Sequence, residues 1–195
     1  KLNVEIAATE AKTIEALLTD QNYFDLRRGK RITKTIIDKN KGSIPVYSSS
    51  KNEESVLGHI SEKYLVDNKL ALYTEPSVLF NLDGSVGYCF IRNDQKYSFI
   101  DVVAALVPKK DNIDLEFLLY KLREEILKTG ADYRSKLYFN KIKDYALNIQ
   151  IPIDTNGDPD LQEQRRMARM YKKVEEIKTE INSGLEKILE TQIDV

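Results

Sequence analysis

Apolar positions in this chain change period along its length, and the changes predict its elements. Val4, Ala7, Ala8, Ala11, Ile14, Leu17 and Leu18 fall at helical spacing, which predicts a short amphipathic helix over residues 1–20. Between residues 56 and 107 the sequence is rich in β-branched and aromatic residues in short runs, at 56–60, 70–73, 78–80, 86–91 and 100–107, which read as strands. Asp83-Gly84 between two of these runs is a hairpin signal. A shorter apolar strand is expected where Lys41-Gly-Ser-Ile-Pro-Val-Tyr47 lies between polar loops. Leu115, Leu118, Leu119, Leu122 and Ile126 then mark one face of a helix over 114–128, with Asp114 as its N-cap and Gly130 just past its end. Leu147, Ile149, Ile151 and Ile153 alternate as in a strand, with Pro152 at an edge or a strand end.

After the turn-rich residues 154–158, Pro159 suits the first position of a helix capped by Asp158. Met167, Met170, Val174, Ile177, Ile181, Gly184 and Ile188 recur at spacings of three and four, a heptad seam that one helix cannot bury alone. Such a helix is about 45 Å long at about 1.5 Å per residue. The predicted architecture is α+β: an amphipathic helix at 1–20, a β-rich domain at 21–153, and a coiled-coil helix at 154–195.

Composition narrows the chemistry. Of 195 residues, 42% are hydrophobic, enough for a buried core, and 30 Lys+Arg against 31 Asp+Glu give a net charge of -1, which argues against a uniformly basic coat. The apolar run at 102–107 is far short of the roughly 20 residues of a membrane helix, and no signal-peptide pattern opens the chain, so a cytoplasmic protein is expected. One cysteine and one histidine exclude a disulfide framework and a Cys/His zinc cluster within the chain, and no metal or cofactor is expected. Cys89, between Tyr88 and Phe90, reads as a small core residue, and His59 has no nucleophile motif beside it. Neither a phosphate-binding glycine motif nor an Asn-Pro-Pro-Tyr or Asp-Pro-Pro-Tyr run is present, so catalysis is expected elsewhere than in this chain.

The near-zero charge sum conceals segregation. Arg27, Arg28, Lys30, Arg31, Lys34, Lys39 and Lys41 are opposed within their span only by Asp38, and Arg134, Lys136, Lys141 and Lys143 form a second run without acids. Compensating acids gather on the C-terminal helix at Glu175, Glu176, Glu180, Glu186, Glu190 and Asp194. Basic side chains neutralise phosphates while Ser, Asn and Tyr in neighbouring loops reach base edges. On charge alone a solvated face is an equal alternative.

An ordered set of motifs tips the balance: Gly29-Lys-Arg-Ile-Thr-Lys34, Gly42-Ser-Ile-Pro-Val-Tyr47-Ser-Ser, Asp83-Gly-Ser-Val-Gly87, Ile149-Gln-Ile-Pro-Ile153 and Leu161-Gln-Glu-Gln-Arg165. From about Tyr23 to the C-terminus the chain resembles the specificity subunit of type I restriction-modification systems, as one target recognition domain followed by one spacer helix. It departs from the family in the residues 154–158 that separate its Ile-Pro strand from its Gln-Glu-Gln helix. It also has one domain and one spacer where members generally carry two. The resemblance thus implies half of a specificity subunit, or the recognition module of a larger single-chain enzyme.

The implied function is sequence-specific recognition of double-stranded DNA, directing a methyltransferase (modification) subunit and a restriction subunit that supply catalysis. Lys30, Arg31, Lys34, Arg134, Lys136, Lys141 and Lys143 are then expected on phosphates. Ser48, Ser49, Ser50, Lys51, Asn52, Asn81, Arg92, Tyr97 and Asn140 are expected near base edges. Met167, Met170, Val174, Ile177, Ile181 and Ile188 are expected to pair with a second helix, in a homodimer or with a second specificity half. A spacer of that length spans at most roughly 13 base pairs. The alternative is a protein interaction module acting through its coiled coil, with no DNA binding of its own.

Overall fold

The computed structural model describes residues 11–131 and 136–191. Its elements run β1 (Thr13–Leu17), β2 (Phe24–Arg28), α1 (Lys34–Lys39), β3 (Lys41–Tyr47), β4 (Val56–Ile60), α2 (Glu62–Asp67), β5 (Ser77–Asn81), β6 (Cys89–Arg92), β7 (Ser98–Phe99) and β8 (Val103–Pro108). They continue with α3 (Leu115–Lys128), a 3-10 turn (Phe139–Lys141), β9 (Asn148–Pro152) and α4 (Leu161–Thr191). The fold is α+β, as the sequence predicts.

The organising unit is an antiparallel sheet in the order β2-β8-β5-β6. Its central strands, β8 and β5, are covered on both faces, which is why they are nearly continuous apolar runs. Val78, Phe80, Ala104 and Leu106 pack on one face against Phe117, Leu118, Leu122 and Ile126 of α3, together with Ile149 and Ile151 of β9. Leu79, Val103, Ala105 and Val107 pack on the other against Tyr73, Tyr97 and Phe99, whose rings stack. A smaller sheet, β4-β3-β7, makes a third core with α1 and α2, whose N-termini are capped by Thr33 and Ser61.

The expected helix over 1–20 is overturned at its C-terminal end. Residues 13–17 form β1, in antiparallel register with β9 from Thr13↔Pro152 to Leu17↔Asn148. Ile14, Ala16 and Leu18 contact the core while Leu17 is exposed, a period of two within residues that also fit a helical spacing. The edge of β9 supplies backbone partners that a lone helical turn lacks, and pairing overrides the local pattern. Residues 1–10 of that expectation lie outside the described residues.

Other differences are smaller. The run at 70–73 contributes only a single bridge, Tyr73 to Tyr97. The run at 86–91 becomes a strand only from Cys89, since Gly87 at φ +87° belongs to the turn. The hairpin between β5 and β6 is therefore a wider loop than the Asp-Gly pair suggests. α4 begins at Leu161, not after Asp158: Asp160 Oδ1 accepts from the Gln162 and Glu163 amides, while Pro159 bridges to Ile153.

α4 is anchored by its first turns. Gln164, fully buried, accepts from the Asp114 amide and donates to the Asn112 carbonyl. Ala168 is buried beside it, Tyr171 stacks on Tyr120 at 5.5 Å, and Glu175 pairs with Arg123. The heptad seam lies about 100° around the helix from this anchoring face, counting 3.6 residues per turn. Met167 still packs on the core, whereas Met170, Val174, Ile177, Ile181, Leu185 and Ile188 are exposed, Ile177 by 45% and Ile181 by 56%. Among the described residues no helix is long and apolar enough to cross a membrane, and no group of His, Cys, Asp and Glu is arranged to hold a metal ion.

Candidate nucleic-acid interface

Register fixes which strand ends share one end of the main sheet. Arg28 pairs with Ala104, Asn81 with Val103, and Phe80 with Cys89, so the C-terminal ends of β2 and β5 lie beside the N-terminal ends of β8 and β6. Three chain segments meet there. The loop after β3 joins the loop after β5 where Ser49 Oγ donates to the Asp83 carbonyl. Asn81 joins the same two loops, donating to the Ser50 carbonyl at 2.8 Å and the Ser85 carbonyl at 3.0 Å. The segment ahead of the 3-10 turn is tied in by the Leu137 amide on the Leu82 carbonyl, and by the ion pair of Lys136 with Asp83. That ion pair also raises the Lys136 ammonium pKa.

Basic and aromatic side chains decorate this end. Lys51 is exposed with its ammonium 5.8 Å from the centroid of the exposed Tyr88 ring, and Lys141 stands in the same relation to Tyr138. Arg28 lies over Phe139 and donates to the Asp101 carbonyl. Just beyond it, Gly29 is wedged so tightly that a Cβ there would stand 2.1 Å from the Ile100 carbonyl oxygen. This turn leads into the exposed Lys30 and Arg31.

The expected site residues divide accordingly. Ser49, Ser50, Lys51, Asn81 and Lys136 come together at this end through the contacts above, and the exposed Asn140 and Lys141 follow on the tethered segment, with Lys143 just after it. Ser48 and Asn52 flank the joined residues, and Asn52 caps its own turn by accepting from the Glu54 amide. Lys34 stands apart at the start of α1, donating to the Leu57 carbonyl. Arg134 lies outside the described residues.

Three of the residues expected near base edges are instead interior. Tyr97 is fully buried, its hydroxyl donating to the Glu75 carbonyl and lying 2.7 Å from Ser77 Oγ. Asn81 is 2% exposed with its amide hydrogens committed to two carbonyls, and Arg92 is 7% exposed beneath the loop that follows β3. A buried polar side chain must find protein partners, and these did at every buried polar atom but Arg92 Nε. Conversely, Arg28, Tyr88 and Tyr138 belong to the surface of the site and were not among the expected contacts, although Arg28 stands in the first basic run. Tyr88 directly follows the turn glycine Gly87, a position where a large side chain is exposed.

Cys89 is buried as the sequence predicts, and burial pushes its thiol up to about 12, leaving it un-ionised at neutral pH. His59 is exposed on β4.

A β-rich head whose loops gather basic side chains, and a long helix leading away from it, together define a module that presents loops at one end and a helical arm at the other. The chain belongs to the family of the type I restriction modification DNA specificity domain, whose profile matches residues 22–191. The Mycoplasma pneumoniae protein named type I specificity subunit S.MpnORF507P is 27% identical over 166 residues, covering 83% of this chain and 40% of that protein. The crystal structure of the S subunit of a type I restriction-modification system from M. genitalium superposes with a TM-score of 0.56 at 17% identity, over 91% of this chain and 42% of that one. The HsdS subunit from Thermoanaerobacter tengcongensis gives 0.59 at 16% identity, over 92% and 41%. At these identities the two structures share the fold with this chain. The chain spans about two-fifths of the length of each of these relatives.

Proposed function

We propose that this chain reads double-stranded DNA sequence-specifically, as one target recognition domain and one spacer helix of a type I restriction-modification specificity subunit. It directs partner methyltransferase and restriction subunits in the cytoplasm and carries no catalytic step itself. The observation that carries this reading is the convergence of two polar loops and a basic segment at one end of the main sheet. In it Lys30, Arg31, Lys141 and Lys143 engage phosphates, and Lys51, Asn52 and Asn140 reach into a groove. Lys136 exchanges Asp83 for a phosphate, and Arg134 adds to the same basic segment. Lys34, tied to β4, contributes at the margin.

The exposed apolar stripe of α4 supports a second helix as partner, from another copy or from a second specificity half. With 31 residues, α4 is about 46 Å long and sets the spacing between two such heads. A two-fold arrangement favours a palindromic bipartite target.

Replacing Lys141 and Lys143 together with Ala tests the DNA reading. Affinity should fall alike for all sequences, and the salt dependence of binding should flatten by about two phosphate contacts. A DNA affinity that both substitutions leave unchanged removes them from the interface. No retention of DNA at any salt favours the alternative, an interaction module acting through α4 alone.

A further inference from the structure

Asn81 and Arg92 are buried, polar and distant from one another along the hairpin, yet both close on the same surface loop. Ser77 pairs with Arg92 and Leu79 with Phe90, so Ser77, Leu79 and Asn81 of β5 share with Phe90 and Arg92 of β6 the face turned away from α3. The loop between β3 and β4 lies across this face at the sheet edge. Asn81 donates one amide hydrogen to the Ser50 carbonyl at 2.8 Å and the other to the Ser85 carbonyl at 3.0 Å. Arg92 donates from Nη2 to the Glu53 carbonyl at 2.6 Å and from Nη1 to Glu53 Oε1 at 3.3 Å. Its guanidinium lies 3.9 Å from the centroid of the Tyr47 ring, at the root of the loop. Nη1 also donates to the Ile91 carbonyl at 3.0 Å, while Arg92 Nε is buried without a hydrogen-bond partner.

The two held carbonyls, of Ser50 and Glu53, bracket Lys51 and Asn52, both exposed. We propose that Asn81 and Arg92 are positioning residues for base reading: they fasten this loop on either side of Lys51 and Asn52, so that target selectivity depends on two side chains that do not touch DNA. This rests on the reading of the chain as a DNA reader. A tip already fastened incurs no cost of becoming ordered on binding, and discrimination between bases requires a fixed donor and acceptor geometry.

The test uses the full-length subunit assembled with its methyltransferase, a duplex carrying the sequence that the complex methylates, and a scrambled duplex. Asn81→Leu removes both donors without adding charge, and Arg92→Lys keeps the charge but loses the planar fork. Each should speed amide hydrogen exchange across residues 50–55 at least tenfold and lower the ratio of target to scrambled affinity at least tenfold. The salt dependence on scrambled DNA should not change, because no phosphate contact is lost. Unchanged loop exchange, or unchanged selectivity despite faster exchange, would overturn the inference; so would a flatter salt dependence for Arg92→Lys, which marks direct phosphate contact. If neither variant folds, Ser49→Ala loosens the same loop from the Asp83 carbonyl and should show the same pair of effects, their absence counting equally against it. A wild-type complex without target preference would overturn the DNA reading and this inference together, whereas a selective wild type with equally selective variants would overturn this inference alone.

Discussion

Arg27 lies on the face of β2 that it shares with Ala105 of β8, where its guanidinium meets Asp25 at 2.7 Å and both carboxylate oxygens of Glu75, and lies 5.7 Å from the centroid of the Tyr73 ring. The hydrogen bonds from Arg27 hold the Glu75 carboxyl down at about 2. A carboxyl depressed in the folded state stabilises the fold above its unfolded value and ceases to do so as the pH falls through its folded value. The pair should therefore lose its contribution between about pH 4.5 and pH 2. Glu75→Gln should flatten the acid limb of the stability profile, and its effect should shrink in salt because Glu75 is half exposed. Tyr97 works at the same scale: Tyr97→Phe leaves the buried Ser77 hydroxyl and the Glu75 carbonyl without their partner, which should cost about 1–3 kcal/mol in urea unfolding and leave the salt dependence of DNA binding unchanged. The sequence set Asn81, Arg92 and Tyr97 near base edges and all three are interior instead, because which side chain faces outward depends on strand register. A one-residue difference moves a side chain to the other face of the sheet.

Elements were legible where local pattern and packing agree. α3 has its apolar stripe, its Asp114 cap and Gly130 at φ +68°, and it forms as the sequence predicts. β5 and β8 carry enough β-branched and aromatic residues to be recognised, because both faces of each are covered. β1 was not legible: Ile14, Leu17 and Leu18 satisfy a helical spacing, and only the distant edge of β9 selects a strand. α1 and α2 have six residues each, too few for periodicity to show, and rest on the Thr33 and Ser61 caps. The start of α4 depends on Gln164, which ties the helix to the turn before α3. Gln164→Ala should leave the half-buried Asp114 amide and Asn112 carbonyl without their partner and cost about 1–3 kcal/mol, read as a lower urea midpoint. It should also loosen the arm from the head, seen as faster amide exchange at residues 112–116.

For the whole molecule, the seam was legible and its partner was not, since a helix face records that it needs covering but not by what. Charge segregation is local: the basic runs lie on the loop-bearing head, while α4 interleaves its acids with Arg165, Arg166, Arg169, Lys172, Lys173, Lys178 and Lys187. Under the proposed pairing of α4 with a second copy, placing Asp at both Ile177 and Ile181 should abolish that pairing by burying charge in the seam, read as a shift to the lower-mass species in sedimentation. Each head should keep its own fold, because these two side chains make no contribution to its core.

The central claim is that the loops at the sheet end read DNA sequence. Its most direct measurement is selection from a random duplex pool by the full-length subunit assembled with its methyltransferase. The account predicts enrichment of a bipartite motif, with one half lost when Lys51 and Asn52 of this chain are both replaced by Ala. Recovery of no motif, or of a motif indifferent to those two residues, would contradict it.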